Sequence, residues 1–173
     1  MREDRGMIYL YTGEGAGKTV SALGLALRCL GHGSNVVIIQ FLKWWQNTGE
    51  YKFKKLMPDK YEIYQFGRKG WIGLKNLGAE DKQLCQRALD LAKKKAQGKP
   101  KLLVLDEVNL ALDCNLLDMK ELIEFLKTIP KETNVVLTGR RAPRELIDFS
   151  DFANEVIEMK QPKETPTTRG IQY

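Results

Sequence analysis

The sequence is poor in the residues that perform covalent and metal chemistry. It has one histidine, His32, among 173 residues. A cluster of imidazole metal ligands is therefore excluded, and a Ser-His-Asp triad nearly so. The three cysteines, Cys29, Cys85 and Cys114, are far apart and form no CxxC pair. This argues against a disulfide framework or thiolate metal site, and for a reducing, cytoplasmic setting. Long apolar runs are missing too. The longest aliphatic stretches, residues 36–39 and 102–105, fall far short of a bilayer span, so no membrane association is expected. Residues 1–6 are charged and carry no apolar core, so no secretory signal is expected.

What remains is an ordinary globular composition. A length of 173 residues fits one domain, residues 1–173, with enough chain to bury a core. Hydrophobic residues at 43% and charged residues at 29% exclude a disordered chain. Lys and Arg number 28 against 22 Asp and Glu, a net charge of +6. A basic balance suits phosphate-bearing partners, whether nucleotide, nucleic acid or anionic lipid, without choosing among them.

The hydropathy pattern alternates strand and helix. Strands are expected at residues 7–12, 35–41, 61–66, 102–106, 135–138 and 155–159. Helices are expected at 17–30, with Leu23, Ala26, Leu27 and Leu30 at helical spacing, and at 79–97, burying Leu84, Ala88, Leu91 and Ala92. Shorter helices are expected at 119–127 and 143–149, the first capped by Asp118. Gly31 and Gly33 end the first helix, where His32 reads as part of the cap. Lys93, Lys94 and Lys95 read as a solvated end of the second long helix that suits its negative terminus. Residues 43–59 are irregular, 67–78 form a loop, and the tail from 160 to 173 is extended or docked. Alternation of this kind predicts an α/β fold with right-handed crossovers and helices on both faces of a parallel sheet.

The strongest motif is Thr12-Gly13-Glu14-Gly15-Ala16-Gly17-Lys18-Thr19, between an apolar strand and an amphipathic helix. Glycines let successive N–H groups turn toward a phosphate, and the helix start adds its own free N–H groups and partial positive charge. Lys18 supplies a full charge, and the Thr19 hydroxyl suits Mg2+ bridging phosphates. The usual G-x-x-x-x-G-K-[ST] spacing has Thr12 at its first glycine, so this is a variant phosphate loop. Residues 102–107, an apolar strand ending in Asp106-Glu107, have the Walker-B form, which puts a carboxylate beside the metal. Thr138-Gly139-Arg140 ends another strand. Arg140 there is either a cation for the phosphates or a surface arginine beside Arg141.

These motifs, together with Leu30-Gly31-His32-Gly33, Gln40-Phe41-x-Lys43, Gly49-Glu50, Asp106-Glu107-x-Asn109 and Gly170-Ile171-x-Tyr173, occur in an order that resembles the P-loop class of ATP:corrinoid adenosyltransferases. The resemblance covers nearly the whole chain. It implies a three-layer, RecA-like P-loop NTPase fold with a mostly parallel twisted sheet of about six strands. It also implies a transferase reaction in which Co(I) of a corrinoid attacks the 5′-carbon of MgATP and triphosphate leaves. In this family ATP lies reversed in the loop, with its γ-phosphate deepest. The implied ATP contacts are Gly13, Glu14, Gly15, Ala16, Gly17, Lys18, Thr19, Val20 and Arg140. The implied metal ligands are Thr19, Asp106 and Glu107, and the implied catalytic residues Lys18, Thr19 and Glu107. Gly70, Trp71 and Asn109 correspond to corrinoid-binding positions, Trp71 as the aromatic that excludes the lower axial ligand. Relatives are usually homodimers, and a reductase or flavoprotein supplying Co(I) is a conceivable partner.

The chain departs from the family in places. Glu14 stands for a frequent Asn, Ala16 for a frequent Lys, Val20 for a second Thr, and Gly73 for a second aromatic near Trp71. Less positive charge in the loop implies weaker ATP binding or slower transfer. No N-terminal helix over the site is expected. Two other readings stay open on the residues alone. A P-loop NTPase or kinase acting on nucleic acid would use the bases and aromatics of residues 43–55, although a lid or dimer loop is favoured there. A relative that binds ATP and corrinoid without turnover would be consistent with Glu14 and Ala16.

Overall fold

The computed structural model describes residues 5–70, 73–164 and 167–173. The strands are β1 (Ile8–Thr12), β2 (Val36–Phe41), β3 (Tyr61–Phe66), β4 (Leu102–Asp106), β5 (Asn134–Thr138) and β6 (Phe152–Glu155). They form one sheet in the order β3-β2-β4-β5-β1-β6, with every pairing parallel. The helices are α1 (Lys18–Gly31), α2 (Gly49–Phe53), α3 (Ala79–Ala96), α4 (Val108–Asp113), α5 (Met119–Lys127) and α6 (Arg144–Phe149). The α/β fold with a parallel six-stranded sheet is the one expected.

Alternate residues of the central strands feed two cores, because successive side chains of a strand point to opposite faces. Val37, Ile39, Leu103, Leu105, Val135 and Leu137 join α3, α4 and α5 on one face. Val36, Ile38, Leu102, Val104 and Val136 meet Ala22, Ala26 and Leu30 of α1 on the other. The alanines let α1 lie close to the sheet. Leu27 of the same helix is 66% exposed, so the buried stripe of α1 is rotated from the leucine-rich one expected. α3 likewise buries Cys85, Ala88, Leu89 and Ala92 and leaves Leu84 and Leu91 half-buried. In both helices small residues make the close contact, and hydropathy alone points to the leucines beside them.

Further expectations change. The last strand is β6, at 152–155 and not 155–159. Its residues are exposed, and among the described residues it pairs only with β1, so it carries no buried pattern to find. α4 follows β4 after a single residue. α2 and the aromatics around it give structure to the stretch read as irregular: Phe53 packs edge-on against Tyr61 at 5.1 Å, and Lys54 lies over Tyr51 at 3.6 Å. Lys93 and Lys95 are paired with Glu121 and Glu62 and are not merely solvated. Asp118 caps α5 by accepting from the Glu121 N–H at 2.8 Å, as expected. His32 caps α1 with its backbone N–H on Arg28 and Cys29. No helix among the described residues is long and apolar enough to cross a membrane.

Candidate active site

All six strands are parallel, so their carboxyl ends share one edge of the sheet, where ligands of open α/β folds bind. Residues 13–17 form the first loop on that edge. Gly13 has φ +100°, and a Cβ there would sit 2.4 Å from the Val156 carbonyl oxygen. The Gly15 N–H donates to that same oxygen at 2.9 Å. The chain leaving β6 thus braces the loop from behind and demands glycine at its front. The start of the loop is tied down on its other side, where the Ala142 N–H donates to Thr12 Oγ1 at 3.0 Å.

Lys18, at the first turn of α1, is 6% exposed. Its Nζ donates to the carbonyls of Gly13 at 2.7 Å and Gly15 at 2.6 Å, so the ammonium lies within the curl of the loop. Burial lowers its pKa, with Arg140 adding to the effect and Glu107 opposing it.

Asp106 ends β4 fully buried and receives four donors. Thr19 Oγ1 at 2.8 Å and Thr138 Oγ1 at 2.7 Å donate to Oδ1. Gln40 Nε2 at 2.9 Å and Lys43 Nζ at 2.6 Å donate to Oδ2. Gln40 is held in turn by Gln65 Nε2, which donates to its Oε1 at 2.9 Å. Burial would raise the Asp106 pKa, but the Lys43 charge and these hydrogen bonds outweigh it and hold the carboxyl below the usual range. The strand order explains the gathering: β2 and β5 flank β4, so their terminal residues reach its tip from both sides.

Glu107 behaves oppositely. It sits at φ +64°, opens α4, and donates its N–H to Thr138 Oγ1 at 3.0 Å. Burial and the neighbouring Asp106 charge raise its pKa above the usual glutamate value, against the pull of Lys43 and Lys18. Asn109, expected at a corrinoid surface, is fully buried. Its Nδ2 donates to the carbonyls of Tyr11 and Gly139, each at 3.2 Å, so it joins the ends of β1 and β5 from inside. The resemblance puts this residue at a corrinoid surface, whereas here its side chain is enclosed by protein.

The rim is looser. Arg140 pairs with Glu14 at 3.3 Å, both more than half exposed, so the arginine does stand over the loop. Val20 is exposed on α1. On the β2–β3 side, Trp45 and Tyr173 pack their rings with centroids 4.8 Å apart. A cleft of about 400 Å³ there is lined by Lys43, Trp44, Trp45, Thr48, Gln65 and Tyr173. Gly70 takes φ +90° within the loop after β3. Trp71 lies outside the described residues.

Thr19 Oγ1 and the Asp106 carboxylate, 2.8 Å apart, are hard oxygen donors of the kind that suits Mg2+, and Glu107 follows Asp106 directly in the chain. The Lys43 ammonium, 3.2 Å from Thr19 Oγ1 and 2.6 Å from Asp106, demonstrates that this pair already attracts a cation. Sequence reasoning gave no role to Gln40, Lys43 or Thr138, although each stood in a recurring motif. A lone glutamine and a lysine at the end of an otherwise apolar strand were the available signal.

A phosphate loop with an inward lysine, joined by its threonine to a buried carboxylate at the tip of a parallel strand, defines a P-loop nucleotide-binding protein. The solved flagellar accessory protein FlaH from Methanocaldococcus jannaschii has the same fold, with a TM-score of 0.58 at 15% identity over 88% of this chain and 71% of that one. The chain belongs to the ATP:corrinoid adenosyltransferase BtuR/CobO/CobP family, whose model matches residues 4–173. It is 32% identical to a corrinoid adenosyltransferase of Sinorhizobium, over 92% of this chain and 76% of that protein. It is also 32% identical to the corrinoid adenosyltransferase CobA of Salmonella typhimurium, over 99% of this chain and 88% of that one. The activity class is therefore that of a transferase moving an adenosyl group from ATP to a corrinoid.

Proposed function

We propose that the loop of residues 13–19 grips the triphosphate of ATP while the 5′-carbon stays open to a reduced corrinoid. Co(I) of the substrate attacks that carbon. The cobalt–carbon bond forms, the C5′–O bond breaks, and its electron pair leaves on triphosphate. The observation that carries this reading is the joining of the loop to the strand tip, with Lys18 held inside the loop and Thr19 bonded to Asp106. Such a site positions and neutralises a polyphosphate, and it contributes no nucleophile. None is required when the substrate's metal performs the attack.

Lys18 and the loop N–H groups bind the phosphate oxygens, and Arg140 adds charge from the rim once Glu14 releases it. Thr19, Asp106 and Glu107 would hold Mg2+, which supplies further positive charge to the leaving group when bound. The aromatic side of the site, with Trp44, Trp45 and Tyr173, receives the corrinoid, and the family resemblance adds Gly70 and Trp71 to that role. A homodimer working in the cytoplasm with a cellular reductant completes the reading.

The test is anaerobic. Protein, MgATP and chemically reduced cobalamin are mixed, and the light-sensitive cobalt–carbon product is followed by its spectrum. Intact triphosphate in stoichiometric yield is expected. Orthophosphate or diphosphate released without corrinoid, or no change at cobalt, overturns the proposal.

A further inference from the structure

Lys43 stands where a lysine is costly. It follows Leu42, which leaves β2 at φ +58°, and its side chain is only 31% exposed. The peptide joining Leu42 to Lys43 is backed by Gly67, where a Cβ would lie 2.6 Å from the Leu42 carbonyl carbon and 2.7 Å from the Lys43 nitrogen. The fold thus presses the start of Lys43 toward the site. Its ammonium then meets both members of the pair that would hold Mg2+, Asp106 Oδ2 at 2.6 Å and Thr19 Oγ1 at 3.2 Å.

The hydrogen-bond capacity of Asp106 sharpens the point. An ionised carboxylate accepts about four hydrogen bonds. Asp106 has four, from Thr19, Thr138, Gln40 and Lys43. Three of these donors are fixed. Thr138 also receives the Glu107 N–H, Gln40 is held by Gln65, and Thr19 belongs to the first turn of α1. Lys43 alone carries its donor on a long flexible stem that reaches solvent. A hydroxyl that donates its hydrogen to a carboxylate keeps its lone pairs for a cation. Thr19 offers them to Lys43.

We propose that Lys43 is a resident cation that neutralises Asp106 while the site is free of nucleotide, and passes to the polyphosphate when metal-nucleotide arrives. It excludes a divalent ion from the empty site and then binds the leaving group. This rests on the nucleotide reading above and adds a residue and a sequence of events to it.

The test compares wild type with Lys43→Met and Lys43→Arg. Mn2+ binding without nucleotide is read by EPR, and tripolyphosphate binding by calorimetry. Lys43→Met is expected to bind Mn2+ at least tenfold more tightly than wild type and tripolyphosphate at least tenfold more weakly. Its melting temperature should rise on adding Mg2+ alone, whereas that of wild type should not. Lys43→Arg keeps the charge and should stay within threefold of wild type in both binding measurements, and it supplies the comparison if the methionine variant folds poorly. Mn2+ or tripolyphosphate affinity of Lys43→Met within twofold of wild type overturns the proposal, as does Lys43→Arg behaving like a charge loss. Wild-type protein that binds no tripolyphosphate overturns instead the phosphate reading on which this one rests.

Discussion

The floor of the site and its rim are built by different means. On the floor, Asp106, Thr138 and Gln40 are fully buried, and each is held by hydrogen bonds from neighbouring strands. On the rim, Glu14 and Arg140 meet across open solvent, and Trp45 and Tyr173 share a half-exposed ring contact. Low dielectric strengthens every contact of the floor and makes each partner costly to remove, whereas exposed pairs are screened and worth little. The floor therefore sets where charge sits, and the rim can vary without disturbing the fold.

The largest effect is expected at the floor. Asp106→Ala leaves Lys43 without its main counter-charge and Gln40, Thr19 and Thr138 without an acceptor. A loss of about 3 kcal/mol is expected in urea unfolding, the low end for breaking a buried pair because Lys43 reaches water. Adenosyl transfer should fall by more than about a hundredfold. The cost should shrink in acid. The Asp106 pKa is held down in the fold, so its contribution is present at neutral pH and lost as pH falls through that lowered value.

Glu107→Gln sharpens the comparison because it should change stability in the opposite direction. Its carboxyl is held above the ordinary value, chiefly by burial. The stability linked to its proton is present below the ordinary glutamate pKa and lost as pH rises through the raised one. The glutamine variant should therefore melt above wild type at pH 8, with the two curves converging toward pH 4. Its transfer rate should nevertheless fall, since a charge and a proposed metal ligand are gone. A variant that melts lower at pH 8 would place Glu107 with the floor.

The smallest effect belongs to the rim. Glu14→Asn frees Arg140 and removes an acid beside the phosphate loop. Tripolyphosphate should bind a few-fold more tightly by calorimetry, with unfolding free energy changed by less than about 0.5 kcal/mol. A large loss of stability would show that the rim is as tightly bound into the fold as the floor.

Much of this was legible in the sequence, for physical reasons. The phosphate loop reads from local spacing, because glycine, lysine and threonine act through backbone geometry within eight residues. β2, β3 and β4 read from continuous or alternating apolar residues. β6 did not, because Phe152, Ala153, Asn154 and Glu155 are all exposed and only their ladder with β1 makes them a strand. α4 was hidden because its apolar residues follow β4 directly. The donors to Asp106 come from positions 19, 40, 43 and 138, and hydropathy records what each segment buries, not the strand order that unites them. The burial of Asn109 was hidden for the same reason: a motif marks a position as special without saying whether it faces a ligand or another strand.

The contact behind the phosphate loop restricts how the protein can repair damage there. A side chain at position 13 meets peptide atoms of Val156, so trimming neighbouring side chains cannot make room for it. Relief has to come from drift of the main chain, and β6 can drift because it lies at the margin of the sheet and leans on β1 alone. Suppressors of a substituted Gly13 should therefore cluster in β6 and the turn leading into it, among residues that touch no nucleotide.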